Sequence, residues 1–280
     1  MLRHMCVSAI SRRLYERVRD GTSQAACSHV DGGVCEKRGA FSVAKEQSLD
    51  NLWLAQTLFD IGAVQFGEFT VSESAAKSPI FVNPKKLVSN PMALRVAAKL
   101  IEQEVQLAQS MRRARAHPFE VVAGIPVGGV MLGIAYSMET STPMIYPRLQ
   151  PQGTGLRGIE GTYAPGTRAL LIDDLVTTGG SIVDTARFMA EHDIVVKDAV
   201  VLIDREQGAA DQLKHHGFNL ISILKLSVML NHYHTLHLID EQTYERCISY
   251  LREHQAPEKP AMDIADLPPY APDTSPNNDN

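Results

Sequence analysis

The chain has 280 residues, of which 44% are hydrophobic and 21% charged, a composition typical of a globular protein with room for one large domain. Its formal net charge of −5 at pH 7 argues against a nucleic-acid-binding protein, because that class needs a basic face. No apolar run approaches the ~20 residues of a membrane span, so we expect no membrane contact. The four cysteines lack metal-binding or redox spacing, which favours free thiols and a cytoplasmic location.

The two ends of the chain lack the pattern of a folded domain. Residues 1–45 show no sustained hydrophobic periodicity, and we predict a poorly ordered extension there. Arginines between Arg3 and Arg19 would suit an organellar targeting peptide, but Glu16 and Asp20 interrupt them, and such peptides are poor in acidic residues. Residues 255–280 are rich in Pro, Asp and Asn, which predicts a disordered tail.

Helical and strand patterns alternate between these ends. The spacing of apolar residues predicts helices over Gln47–Ile61, Pro91–Met111, Val130–Met138 and Ile182–Asp193. Short apolar runs predict strands over Glu120–Gly124, Met144–Tyr146, Ala169–Ile172 and Lys197–Ile203. Strands separated by helices predict an α/β fold with a mostly parallel sheet flanked by helices.

Residues 169–181 form the most informative segment. The apolar run Ala169–Ile172 leads into Asp173 and Asp174, and the polar turn Thr177–Ser181 precedes a helix. Hydroxyls, glycines and the free N–H groups of a helix start suit a phosphate. Two carboxylates suit the vicinal hydroxyls of a ribose or a hydrated Mg²⁺. The segment predicts a site for a phosphorylated sugar, and its simpler alternative is a strand-to-helix turn capped by Ser or Thr.

Three motifs each follow directly after a predicted strand. They are the loop at Gly124, the loop after Asp174, and Arg205. Ligands of parallel α/β sheets bind at the carboxyl ends of the strands. We therefore expect all three motifs on one edge of the sheet.

Two other polar groups have a simpler interpretation. His232, His234 and His237 lie within a predicted helix, but their spacing does not put all three on one face. A polar helix surface is therefore favoured over a metal site. We interpret Lys85 and Lys86 as solvated charge.

Residues 173–181 resemble the phosphoribosyl-pyrophosphate (PRPP) signature of type I phosphoribosyltransferases. Further motifs resemble those of orotate phosphoribosyltransferases, from about residue 46 to 252. They are Phe66–Thr70 with Lys77–Phe81 in the N-terminal hood, Gly124–Gly129 in the pyrophosphate loop, Pro143–Arg148 before the mobile catalytic loop, and Leu202–Gly208 at the orotate-binding strand end. The stretch 212–251 resembles the form fused in bifunctional UMP synthases. This resemblance implies a phosphoribosyltransferase domain over 46–254, with the hood over 46–90 and the core over 91–254.

The resemblance also implies an activity. Orotate and PRPP would give orotidine 5′-monophosphate and pyrophosphate, a pentosyltransferase reaction of de novo pyrimidine (UMP) biosynthesis. Mg²⁺ would be the cofactor, bound through PRPP, with Asp173 or Asp174 as the candidate protein ligands. A homodimer is expected, because in this family the flap reaches into the neighbouring site.

Site roles follow from the same resemblance. Asp173, Asp174 and Arg148 are the implied catalytic residues. The implied PRPP-binding residues are Gly128, Gly129, Arg148, Asp173, Asp174, Leu175, Val176, Thr177, Thr178, Gly179, Gly180 and Ser181. Thr177, Arg205 and Phe66 are implied for orotate, with Arg205 pairing with its carboxylate. The alternative for Arg205 is a surface arginine at a strand end.

The sequence departs from the family in its mobile loop, which typically reads Arg-Lys-Glu-x-Lys-x-His-Gly. Leu149 and Gln152 replace both loop lysines, the loop histidine is missing, and Ser72 replaces a hood lysine. Arg157 could substitute for one of the missing cations. A catalytically weak or inactive homologue that binds PRPP or nucleotides in a regulatory role is therefore the alternative. A transferase for a neutral purine base fits less well, because such a base has no carboxylate for Arg205.

Overall fold

A computed structural model describes residues 51–70, 77–112, 114–148 and 158–254. The predicted extension over 1–45 and tail over 255–280 lie outside the described residues, as do Ser72, Leu149, Gln152 and Arg157. The interpretations of these segments stay predictions. No helix in the described part of the chain is both long and apolar enough to cross a bilayer.

The first elements form a small unit that packs beside the main sheet. Helix α1 occupies 51–60 and is followed by an antiparallel hairpin of β1 (Val64–Phe69) and β2 (Ser78–Val82). A short 3-10 helix, Pro84–Ser89, then leads into helix α2 (Pro91–Ser110), which begins with Asn90 as its N-cap. The elements up to residue 90 fall within the range predicted for the hood, and α2 falls within the predicted core; these domain bounds stay predictions.

A six-stranded sheet forms the core. Its strands are β3 (Val121–Gly124), β4 (Met144–Pro147), β5 (Ile159–Glu160), β6 (Arg168–Val176), β7 (Val195–Asp204) and β8 (Asn219–Lys225). Their order across the sheet is β5-β4-β3-β6-β7-β8, and the short β5 runs antiparallel to β4 while the other pairs are parallel. The remaining helices are α3 (Gly128–Thr140), α4 (Gly180–Ala190), α5 (Ala209–His215), α6 (Leu226–Thr235) and α7 (Glu241–Glu253). The predicted α/β architecture with a mostly parallel sheet is confirmed.

The central strand β6 shows why the sheet is buried on both faces. Side chains alternate along a strand, so Leu170 and Ile172 join one apolar cluster while Ala169 and Leu171 join the other. The first cluster contains residues of α1, α2 and α6, and the second contains residues of α4 and α5. Helices on both sides leave only the ends of the strands free for polar function.

The length of β6 corrects a sequence prediction. We predicted a strand that ends at Ile172, because two carboxylates follow it. The strand continues to Val176, because β7 extends alongside it and Asp204 of β7 pairs with Val176. Asp173 and Asp174 therefore lie within the strand rather than after it.

One buried hydrogen bond joins the hood to the C-terminal helices. The hydroxyl of the fully buried Tyr233 in α6 donates to the Ala55 carbonyl oxygen of α1 at 2.8 Å. Its ring packs against Phe59 and Phe66, with centroids 5.1 and 6.4 Å away. Burial raises the pKa of Tyr233 well above its ordinary value, so the hydroxyl remains a donor.

We expect Tyr233→Phe to lower the free energy of unfolding by about 1 kcal/mol, because a buried hydrogen bond is lost while the ring packing stays. Urea denaturation measures this as a lower midpoint with an unchanged slope. Tyr244→Phe is the matched control, since its hydroxyl donates to Asn231 at an exposed position. Equal midpoints for the two variants would contradict the assigned role.

Candidate active site

The predicted binding motifs lie along one edge of the sheet. The loop after β3 leads into α3 at Gly128, Arg148 directly follows β4, Thr177 follows β6, and Arg205 follows β7. These are the carboxyl ends of neighbouring parallel strands. The expectation that the motifs share one edge is confirmed.

Two buried carboxylates lie at the centre of this edge. Strand β6 pairs with β3 as far as Ile172, and the next two residues, Asp173 and Asp174, lie just beyond that pairing. Both are about 95% shielded from solvent. The Asp173 Oδ1 accepts the backbone N–H of Asp174 at 2.8 Å, and Asp174 Oδ2 lies 3.1 Å from Lys85 Nζ.

The acidic pair is electrostatically unfavourable without a ligand. Burial raises the pKa of Asp173 well above its usual value, and repulsion from Asp174 raises it further. The hydrogen bond from the Asp174 amide and the charge of Lys85 act in the opposite direction. Folding therefore makes the charged form of Asp173 less favourable than it is in the unfolded chain, and such shifts cluster at functional sites.

Two glycines allow the start of α3 to approach the acidic pair. A Cβ on Gly128 would overlap the Asp174 carboxylate, and a Cβ on Gly129 would overlap the Ile172 carbonyl oxygen. Val127 is the N-cap of this helix and makes no side-chain capping bond. The helix start therefore directs N–H groups toward the carboxyl edge of the sheet, where an anion can accept from them.

The turn after β6 has the geometry of an anion-binding loop. Gly179 is the N-cap of α4 with φ +89°, a left-handed conformation that favours glycine, and no side chain caps the helix. The alternative of a Ser- or Thr-capped turn is therefore wrong. Thr177 is half-buried, and Thr178 and Ser181 are exposed, so their hydroxyls border the uncapped helix start.

Arg205 is a buried cation at the end of β7. It is 5% exposed, which contradicts the alternative of a surface arginine. Its Nη2 donates to Ser78 Oγ of the hood at 3.3 Å, while its Nε is buried without a hydrogen-bond partner. Burial lowers the pKa of Arg205, and the neighbouring Tyr250 hydroxyl opposes that shift. Within the described residues no carboxylate forms an ion pair with Arg205, so the side chain is suited to an external anion.

The two other assigned residues have additional partners. Arg148 pairs with Glu160 of β5 at 3.3 Å, and both side chains are about half exposed, so this pair contributes little to stability and can open for a ligand. Phe66 of the hood packs against Phe59 of α1 and Tyr233 of α6. That packing gives Phe66 a structural role, and its role toward orotate stays a prediction.

Two site neighbours escaped the sequence interpretation. Lys85 is half exposed but also pairs with Asp174, and Lys86 donates to the Gly62 carbonyl oxygen at 3.0 Å, so neither is a solvated charge alone. Ser78 bonds Arg205 from a strand 127 residues away in sequence. Such contacts depend on how the hood packs on the core, and no local pattern signals them.

The histidine group does not form a metal site. Helix α6 ends at Thr235, so His237 lies outside the helix that we predicted for it. His234 instead pairs with Glu241 at 2.8 Å and stacks on Tyr244. Throughout the described ranges, no group of three or more His, Cys, Asp or Glu side chains is arranged to hold a metal ion.

Comparisons with known proteins agree with this geometry. Over 176 residues the chain is 35% identical to the orotate phosphoribosyltransferase of Pyrococcus abyssi, covering 62% of this chain and 92% of that protein. It is also 32% identical to bovine uridine 5′-monophosphate synthase over 202 residues. That alignment covers 72% of this chain but only 40% of the synthase. No protein-family model matches the chain.

Solved structures give the same result. The UMP synthase of Leishmania donovani superposes with a TM-score of 0.64 at 28% identity, over 79% of this chain and 47% of that one. The orotate phosphoribosyltransferase of Aeropyrum pernix superposes with a TM-score of 0.56 at 27% identity, over 67% and 99%. Fold and site together define a type I phosphoribosyltransferase. With these relatives, the chain belongs to the orotate phosphoribosyltransferase family.

We expect Asp173→Asn to raise the melting temperature by roughly 2–4 °C, the equivalent of about 1 kcal/mol in a domain of this size. The pKa of Asp173 is raised on folding, so its contribution to stability falls as pH rises through the folded pKa, and a neutral amide removes this penalty near pH 7. The same variant should bind PRPP more weakly. The exposed Asp184→Asn is the control, and a lower melting temperature for Asp173→Asn would contradict the electrostatic interpretation.

We expect Gly128→Ala to lower the free energy of unfolding by about 1–3 kcal/mol, because the added methyl group requires Asp174 or the helix start to move. Thermal denaturation measures the change. Gly180→Ala is the control for a glycine at a helix start, since its Cβ would meet no atom within 4 Å. If both variants lose the same stability, close packing on Asp174 is not what requires Gly128.

Proposed function

We propose that this protein is an orotate phosphoribosyltransferase, which transfers the phosphoribosyl group of PRPP to orotate and releases pyrophosphate in pyrimidine (UMP) biosynthesis. One observation supports this most directly. The buried Arg205, which lacks an ion-pair partner within the described residues, lies on the same edge of the sheet as the acidic pair and the uncapped start of α4. A carboxylate-bearing base and a phosphorylated sugar are the ligands that match these groups.

Each part of the edge has a distinct task in this proposal. The Asp173 and Asp174 carboxylates accept the ribose hydroxyls and orient the sugar, while the loop 177–181 binds its 5′-phosphate through backbone N–H groups and hydroxyls. The anomeric carbon then faces the base, which Arg205 and Thr177 hold. Alignment of two reactants in one geometry supplies much of the acceleration in such a transfer, so no protein nucleophile is required.

As pyrophosphate leaves the anomeric carbon, negative charge develops on its oxygens, away from the 5′-phosphate. Amides at Gly128 and Gly129 and the guanidinium of Arg148 are the groups we assign to that charge. Lys85 already neutralises part of the acidic pair, and the pair alone offers too few oxygens for a protein-held metal. These residues therefore suit an Mg²⁺ ion that is bound mainly by PRPP, with at most one of the two carboxylates as a protein ligand. Such an ion would stabilise the leaving pyrophosphate as a Lewis acid.

A non-catalytic regulatory homologue is not favoured. The relatives that cover most of this chain are named for the enzyme activity, from archaea to Caenorhabditis elegans. The replaced loop positions Leu149 and Gln152 fall outside the described residues, so their effect on rate stays a prediction. Loss of a donor aimed at developing charge costs about 10²–10³ in rate in other enzymes, so we expect a slow enzyme.

Assembly and location are part of the proposal. We expect a homodimer, since the family resemblance implies a flap that reaches a neighbouring site. A cytoplasmic location rests on the sequence composition. Among the described residues Cys247 is a free, buried thiol whose pKa is raised by burial to about 11, as suits a structural rather than a redox-active cysteine.

The direct test mixes the purified protein with orotate, PRPP and Mg²⁺ and follows loss of orotate together with formation of orotidine 5′-monophosphate. We expect turnover that depends on PRPP. Calorimetry with PRPP alone is the companion measurement. PRPP binding without turnover at high enzyme concentration would support the regulatory alternative and contradict the proposal.

We expect Arg205→Gln to raise the KM for orotate about 10- to 100-fold, because a charge-assisted hydrogen bond to the orotate carboxylate is lost. The KM for PRPP should change much less. Arg187→Gln is the control, since Arg187 is another partly buried arginine but lies in the last turn of α4, away from the carboxyl edge. An unchanged KM for orotate would exclude Arg205 from base recognition.

A further inference from the structure

The backbone around Lys85 is fixed where the hood joins the core. Lys85 lies in the short 3-10 helix that begins at Pro84, and both Pro84 and Leu87 are buried. The helix is closed by backbone hydrogen bonds: the Lys86 N–H donates to the Asn83 carbonyl oxygen at 3.3 Å, and the Asn90 N–H donates to the Leu87 carbonyl oxygen at 2.8 Å. Because these contacts hold the helix, the Lys85 side chain starts from a defined position.

That side chain reaches across the cleft to the acidic pair. Its Nζ lies 3.1 Å from Asp174 Oδ2, although the two residues are 89 positions apart in sequence. The Lys85 side chain is 52% exposed, whereas the Asp174 side chain is 6% exposed. Across the described ranges, Lys85 is the only cation within 4.0 Å of either carboxylate of the pair.

Asp174 is therefore held from two sides. The backbone of Gly128 lies against its carboxylate so closely that no side chain fits there. Lys85 bonds the carboxylate from the hood. An aspartate with one face against a helix start and one oxygen bonded to an ammonium has little freedom to rotate.

We propose that Lys85 is a positioning residue for the transfer: its ammonium fixes the Asp174 carboxylate in the orientation that accepts a ribose hydroxyl of PRPP. The inference rests on the proposed function and assigns a further residue to the same site. It also couples sugar binding to the hood, because Lys85 belongs to the segment that joins the hood to α2.

Folding stability alone does not explain the contact. The Lys85 end of this ion pair is half exposed, so solvent screens much of its contribution to stability. Removal of Lys85 should therefore lower the stability of the fold only modestly and free the Asp174 side chain. The main effect of the removal should be a lower affinity for PRPP.

The experiment is a double-mutant cycle on PRPP binding, with Lys85→Ala, Asp174→Asn and the double variant measured by calorimetry and by the KM for PRPP. We expect Lys85→Ala to weaken PRPP binding about tenfold and to leave the KM for orotate within about twofold. In the Asp174→Asn background the same change should cost less than about twofold, since Lys85 acts through Asp174.

Two further variants separate positioning from general structure. Lys85→Arg should recover most of the PRPP affinity, because a guanidinium also binds a carboxylate, whereas Lys85→Met should not. Lys86→Ala is the control from the same helix. It removes the bond to Gly62, so it should lower thermal stability and leave the affinity for PRPP unchanged.

Contrary outcomes are distinct. The role of Lys85 would be overturned if Lys85→Ala left the PRPP affinity unchanged, or if Lys85→Arg failed to restore it. Turnover by the unmodified protein would still support the proposed function in that case. An equal loss with and without Asp174 would also overturn it, because Lys85 would then act independently. If the unmodified protein binds PRPP without turnover, the proposed enzyme activity fails but the cycle still decides the role of Lys85. Absence of PRPP binding would refute both.

Discussion

The arrangement of the carboxyl edge depends on one electrostatic constraint, the burial of two adjacent carboxylates at the end of β6. Desolvation and mutual repulsion make this pair unfavourable, as the raised pKa of Asp173 indicates. The surrounding structure reduces the cost with a backbone amide on Asp173 and an ammonium on Asp174. A sequence keeps such a pair only where a ligand with hydroxyl donors or a cation uses it, so the pair is the point from which the site is understood.

The sheet topology places complementary charge around this pair. Because β3, β6 and β7 are parallel neighbours, the starts of α3 and α4 and the buried Arg205 meet at the edge where the acids lie. Helix starts carry partial positive charge, so they favour phosphate groups and also moderate the repulsion between the acids. Under the proposed function, groups that bind anions flank a centre that binds hydroxyls, which matches a phosphorylated ribose with a diphosphate at its other end.

The core elements and the shared edge could be predicted from the sequence, because apolar periodicity and the residues that follow each strand are local signals. The end of β6 could not, since its extension to Val176 depends on pairing with β7. The contacts of Lys85 and Ser78 were missed for a similar reason. Each joins the hood to the core over a long sequence separation, and an isolated lysine or serine in a sequence carries no sign of such a partner. The position of Arg205 at the carboxyl edge could be predicted, but its burial came only from the packed structure.

Under the proposed function, the same contacts make the hood part of the site and not only a cover for it. Ser78 of β2 bonds the cation assigned to the base, and Lys85 bonds the carboxylate assigned to the sugar. A displacement of the hood would therefore disturb both ligand positions together. Since the reaction requires base and sugar in a single alignment, one packed unit that orients both partners serves it better than two independent loops. The assigned motifs lie at the ends of strands and helices that the hydrophobic pattern predicts, which explains why they can be recognised in this sequence even though Leu149 and Gln152 depart from the family pattern.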